Sequence, residues 1–106
     1  MKPLKYKNKP TVIDGIRFAS KAEARRYGEL KLLEKAGKIR RLQLQPRYFL
    51  ALSESDPITV YVADFEYLEG GRRIAEDVKG MSTREFKLKA KLFRALHPHI
   101  ELRVVK

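Results

Sequence analysis

Asp64, Asp77 and Lys79 are the residues of this 106-residue chain whose types and spacing could do chemistry. They lie in the stretch VYVADFEYLEGGRRIAEDVKG, from Val60 to Gly80. It reads as two strands joined by a tight Glu69-Gly70-Gly71 turn, because apolar and polar residues alternate and glycine supplies the positive φ of short hairpin turns. Side chains on a strand alternate between faces. Val60, Val62, Asp64 and Glu66 are therefore expected on one face, and Tyr61, Ala63, Phe65 and Tyr67 on the other. In the second strand Ala75, Asp77 and Lys79 oppose Ile74, Glu76 and Val78. Across the hairpin Asp64 comes level with Asp77 and Lys79. Ionised groups in the middle of a sheet are costly unless they are paired or ligate a metal. Two carboxylates side by side repel, and Mg²⁺ or Mn²⁺ between them removes the repulsion. A lysine there would place or deprotonate a water, or stabilise charge on a phosphate. The plainer reading of the same residues is a cross-strand Asp–Lys pair on a solvated face, worth roughly a few tenths of a kcal/mol.

The elements that must hold these residues follow from caps, periodicity and turns. Ser20 to Ala36 reads as a first helix: Ser20-Lys21-Ala22-Glu23 has the capping-box pattern, and Gly37 is a natural terminator. Glu23 is thus a capping residue in one reading. On the helical wheel it also falls within about 40° of the Tyr27, Leu30, Leu33 stripe, which turns it toward the sheet. Thr11 to Phe18 reads as a short hairpin around Asp14-Gly15, too short to stand alone. Ile39 to Leu52 reads as one long strand in which Pro46 marks an edge or a bulge, followed by a polar turn over Ser53 to Pro57. Gly80 to Thr83 leads into a last helix, with Ser82 and Glu85 as its capping pair. Its apolar stripe is Phe86, Ala90, Phe93 and Leu96, with Arg84, Lys87, Lys91 and Arg94 on the opposite side. Lys89 lies near the apolar stripe, and His97-Pro98-His99 reads as a turn. Ile100 to Val105 is a final strand, expected parallel to the Asp77–Lys79 strand.

Composition sets the class of partner. The chain carries 24 Lys+Arg against 13 Asp+Glu, a formal charge of +11, which argues for a polyanion and most often nucleic acid. An anionic membrane surface is the competing reading. No apolar run is long enough to span a bilayer and no lipidation motif is present, so a soluble, cytoplasmic protein is expected. The absence of cysteine excludes disulfides and thiolate metal sites. Residues 1–10 read as a flexible basic arm and 11–106 as a single domain. Lys5, Lys7 and Lys9 on the arm, Arg25 and Arg26 on the first helix, and Arg84, Lys87, Lys91 and Arg94 on the last are the candidate DNA contacts.

Asp64 followed by Asp77-Val78-Lys79 resembles the PD-(D/E)xK nuclease signature, with Ala63 standing where that pattern often has proline. Phe18-Ala19-Ser20-Lys21-Ala22-Glu23, Tyr61-Val62-Ala63-Asp64-Phe65, Asp77-Val78-Lys79-Gly80 and His97-Pro98 through Val105 follow in the order seen in phage junction-resolving endonucleases. From about Phe18 to Val105 the chain resembles a small phage Holliday junction resolvase, endonuclease I-like or archaeal-type. It also resembles a phage-encoded domain family whose function was long unassigned.

The resemblance implies an α+β domain with a mixed β-sheet flanked by helices. Its restriction endonuclease-like core would run α-β-β-β-α-β after the N-terminal hairpin, and the domain would be a nuclease. It implies hydrolysis of DNA phosphodiesters at four-way junctions, with Mg²⁺ as cofactor and Mn²⁺ able to substitute. Asp64, Asp77 and Glu23 would be the metal ligands and Lys79 the group on water and transition state. Ser20 and Gln45 would be accessory, Gln45 because related nucleases place a polar residue nearby; a simple sheet-face glutamine is the other reading. Two symmetric cuts imply a homodimer, and a phage origin would put the protein in the host cytoplasm. Two alternatives remain open: a nuclease of the same fold acting on flaps, ends or single strands, and a non-catalytic basic DNA-binding phage protein.

Overall fold

Two helices lie on opposite faces of a mixed sheet in the computed structural model, which describes residues 9–51, 55, 59–79 and 81–106. The elements are β1 (Thr11–Ile13), β2 (Ile16–Phe18), α1 (Lys21–Lys35), β3 (Arg40–Leu44), β4 (Arg47–Leu50), β5 (Thr59–Val62), β6 (Phe65–Glu69), β7 (Arg72–Val78), α2 (Arg84–Leu96) and β8 (Ile100–Val105). The α+β class with a mixed sheet is therefore as expected. The four-stranded sheet has the order β3-β6-β7-β8, antiparallel except for the parallel pair β7–β8 on either side of the α2 crossover. No helix among the described residues is long and apolar enough to cross a membrane.

The turns carry the expected chemistry. Glu69 pairs with Arg72 around Gly70 (φ 58) and Gly71 (φ 82), the two positive φ values a two-residue hairpin turn requires. Ser20 caps α1 by accepting from the Glu23 N–H at 3.2 Å. The cap of α2 is Thr83 rather than Ser82: its hydroxyl accepts from the Phe86 N–H at 3.0 Å. Both residues are good caps, and burial of Phe86 against the sheet fixes which of them sits at the helix entry. The β1–β2 hairpin stands on α1, where Phe18 meets the Tyr27 ring at 5.0 Å and the Tyr27 hydroxyl donates to Asp14 at 3.0 Å. The basic arm lies outside the described residues except for Lys9 and Pro10, as does the Ser53–Pro57 turn apart from Ser55.

The two long strands expected over Ile39–Leu52 and Val60–Tyr67 are each divided. β3 and β4 break at Gln45-Pro46, β5 and β6 at Ala63-Asp64, and the two breaks face one another. The Gln45 N–H donates to the Asp64 carbonyl at 2.9 Å and the Ala63 N–H to the Pro46 carbonyl at 3.1 Å, so the ribbon bends without losing its pairing. Pro46 cannot donate and Gln45 adopts φ 50, a combination that a straight ladder does not accommodate. The bend changes which helix the ribbon touches. Phe65 and Tyr67 join Ile74, Tyr27 and Leu30 under α1, whereas Tyr61 and Ala63 join Ala75, Phe93 and Leu102 under α2. The four residues expected on one face are all buried, but on opposite sides of the sheet.

Candidate active site

Asp64 sits at the bend, one step beyond the Phe65–Glu76 pair, and so lies across from Asp77 as the hairpin register demands. Its backbone N–H donates to the Glu76 carbonyl at 3.0 Å, and its side chain accepts from the Val78 N–H at 2.7 Å. The carboxyl is thereby fixed over the end of β7. Burial is the first cause pushing its pKa up, to about 7, against that Val78 hydrogen bond; the negative charges of Asp77 and Glu23 raise it further.

Asp77, only 3 % exposed, points to the α2 side of β7. The Tyr61 hydroxyl donates to one of its oxygens, and the Lys79 ammonium stands 3.4 Å from the other. Lys79 is held twice more, by its backbone N–H on the Val105 carbonyl at 2.8 Å and by the face of Phe86, 4.6 Å from the ammonium. Its side chain is one-third exposed, so the ammonium is positioned and still open to solvent.

Glu23 enters from the first turn of α1. It is half-buried, and burial raises its pKa most; a backbone hydrogen bond at Ala19 opposes this, Asp77 raises it and Lys79 lowers it. The capping and the site readings of Glu23 therefore coexist: its N–H is capped by Ser20 while its carboxyl feels Asp77 and Lys79. Glu23, Asp64 and Gln45 line one cleft of about 150 Å³. Among the described residues no three carboxylates or histidines are spaced to hold a metal ion as they stand.

Arg26, expected among the DNA contacts, is turned inward instead. Its guanidinium forks onto Glu76, at 2.6 and 2.9 Å, and reaches Glu29 at 3.1 Å. Glu76 has no exposed surface and also accepts from the Tyr67 hydroxyl at 2.6 Å. A buried carboxylate needs such partners, which is why the first helix spends an arginine on the sheet. Arg25, Arg84, Lys87, Lys91, Arg94 and Lys9 are exposed, and Lys5 and Lys7 lie outside the described residues. Lys89 reaches Glu85 at 3.9 Å, and the His97 ring lies against Tyr48 and Phe93 with its Nε2 3.1 Å from the Phe49 carbonyl.

Three residues of this region were not legible as such in the chain. Alternation alone puts Tyr61 on the face away from Asp77, because nothing in it announces the bend, yet its hydroxyl donates to Asp77. Glu76 stands among the apolar residues Ile74 and Val78, and an acid on an apolar face was the signal that a basic partner must come from α1. Arg17, on the middle of β2, opens onto the same cleft as Glu23 and Asp64.

No curated protein and no solved structure matches the chain. A family model described as "Protein of unknown function (DUF1064)" matches residues 3–106, almost the whole chain, and the protein belongs to that family.

Proposed function

We propose that this protein is a metal-dependent endodeoxyribonuclease whose preferred substrate is a branched, four-way DNA junction. The observation that carries the reading is the crowding of Asp64: a carboxyl at a backbone bend, pushed toward neutral pKa by burial and by two further carboxylates, one of which, Asp77, has a lysine ammonium 3.4 Å away. Folding alone gains nothing from that arrangement, and a strongly perturbed group in a cleft is a mark of function. Three hard oxygen donors match Mg²⁺ or Mn²⁺ in kind, and a divalent cation would relieve their mutual repulsion. Asp64, Asp77 and Glu23 are the residues that would hold it. Bound there, it would supply Lewis acidity toward a phosphate oxygen and a lowered pKa for water.

The remaining roles belong to the chain itself. Tyr61 takes one oxygen of Asp77 and so orients the carboxylate. Lys79, one-third exposed and braced by Phe86, is set to hold the attacking water or to donate to a non-bridging phosphate oxygen as charge builds there. In hydrolysis the water oxygen bonds to phosphorus, one P–O ester bond breaks, and the departing oxygen takes a proton. The exposed cations of α1 and α2 supply contacts to the phosphate backbone, which position DNA without reading its sequence. A homodimer would place two such sites on the two strands of a junction.

The test is incubation of the protein with a synthetic four-way junction and with matched linear duplex, in Mg²⁺ and in Mn²⁺, beside Asp77→Asn. Junction cleavage lost in the variant is the expected result. Equal cutting of linear or flap DNA would keep the nuclease and remove the junction preference. Tight junction binding with no cutting in either metal, unchanged by Asp77→Asn, would leave a non-catalytic DNA-binding protein.

A further inference from the structure

The cleft between the β1–β2 hairpin and the ribbon bend holds more than carboxylates. Arg17 and Gln45 line it together with Glu23 and Asp64, over apolar surface from Leu44 and Phe65. Arg17 pairs with Val12 in the hairpin, and its neighbours Ile16 and Phe18 line the same cleft while packing in the core under α1. That hairpin is pinned to α1 by the Tyr27–Asp14 hydrogen bond, so the arginine starts from a fixed backbone. Among the described residues the Arg17 side chain has no ion pair or hydrogen bond, as is also so of the exposed Arg25 and Arg84, whereas Arg26, Arg73 and Arg103 are each tied to a glutamate.

Gln45 adds an independent sign. It is a non-glycine residue at φ 50, held there by its N–H on the Asp64 carbonyl. Left-handed backbone costs a residue with a Cβ roughly 1 kcal/mol, and glycine would adopt it freely. Such backbone is also found at Asp14 and Arg41, but of the three only Gln45 lines the cleft. A residue with an uncharged amide, both donor and acceptor, thus lines the same cleft as an arginine whose guanidinium has no partner among the described residues.

We propose that this cleft is a subsite for the sugar–phosphate unit next to the cleaved linkage. Arg17 grips its phosphate, Gln45 hydrogen-bonds the sugar–phosphate edge, and the apolar wall lies against the deoxyribose. The guanidinium fork suits two phosphate oxygens at once. It also offsets the negative field of Glu23 and Asp64, which would otherwise repel an approaching strand. The subsite reads backbone and not base, and it deepens the nuclease reading above, on which it rests.

Single-turnover cleavage of a junction by wild type and by Arg17→Gln tests it, on substrates carrying one neutral methylphosphonate at each phosphate in turn around the mapped cut. The variant is expected to cut about tenfold more slowly, the effect of one charge-assisted contact. At one phosphate adjacent to the cut, the methylphosphonate slows wild type by a similar factor and leaves Arg17→Gln unchanged. If the variant cuts as fast as wild type, or if its loss multiplies with every methylphosphonate, the subsite is refuted while the nuclease stands. If wild type cuts no DNA, the nuclease reading and the subsite fall together. Arg17→Lys, which keeps the charge without the fork, is expected to recover part of the rate.

Discussion

Asp64→Asn should make the metal-free protein more stable and leave it unable to respond to metal. The substitution keeps the shape of the side chain and an oxygen to accept from the Val78 N–H, now at 2.7 Å. It removes a charge that burial, Asp77 and Glu23 all disfavour. A carboxyl whose pKa stands near 7 rather than 3.8 has its ionised form disfavoured by about 4 kcal/mol at pH 8. The asparagine amide is itself partly desolvated, which recovers about half of that, so a net gain of about 2 kcal/mol is expected. For a chain of this size that corresponds to a rise of roughly 10 °C in Tm. The sign with pH is fixed by linkage. A carboxyl with a raised folded pKa contributes stability that is present below its unfolded pKa and lost as pH rises through the folded one. The gap between variant and wild type should therefore change by about 4 kcal/mol with pH, from about 2 kcal/mol against the variant below pH 4 to about 2 kcal/mol in its favour at pH 8. Urea unfolding in EDTA across that range measures it, and a second series in Mg²⁺ should stabilise wild type but not the variant. A variant less stable than wild type at pH 8, or a gap that does not change with pH, would refute the crowding argument.

Lys79→Met should keep the packing on Phe86 and lower cleavage roughly 10²–10⁴-fold, with junction binding by fluorescence anisotropy within about twofold of wild type. Arg26→Met leaves Glu76 buried and unpaired, a loss of about 3–5 kcal/mol in urea unfolding, and the Arg26→Met/Glu76→Met pair should recover most of it. Gln45→Gly should gain up to about 1 kcal/mol in the same assay by relieving the left-handed backbone, while slowing single-turnover cleavage.

The hairpin that carries Asp64 and Asp77 was readable because two local signals agree there. Strict alternation put Asp64 on the same face as Asp77, and Gly70-Gly71 fixed the register that sets them opposite. The cap at Ser20 and the stripe of Tyr27 and Leu30 placed Glu23 on the sheet side of α1 for the same reason. The bend was not readable from Tyr61, Ala63, Phe65 and Tyr67, because alternation says which residues are buried and not which helix covers them. Pro46 was the one sign of it. Arg26 went astray because a basic residue on a helix wheel looks the same whether it faces a phosphate or a buried acid; only Glu76, fifty residues away, decides.

Glu76 and Asp77 are consecutive acids buried on opposite faces of β7, and this makes the strand hard to mispair. A slip of one residue turns every side chain to the other face. It would offer Asp77, shorter by a methylene, to the fork of Arg26, and would thrust Glu76 into the hydroxyl of Tyr61. It would also crowd Ile74 into the place of Ala75 beneath α2 and leave Ala75 too small to fill the place of Ile74 in the aromatic cluster beneath α1. A flat, uniformly apolar strand forgives such a shift; this one carries an error check at its centre. Chains that misregister during folding would be left with an unmatched buried ion and would re-open quickly. The same pair thus guards the register in which the sheet is assembled.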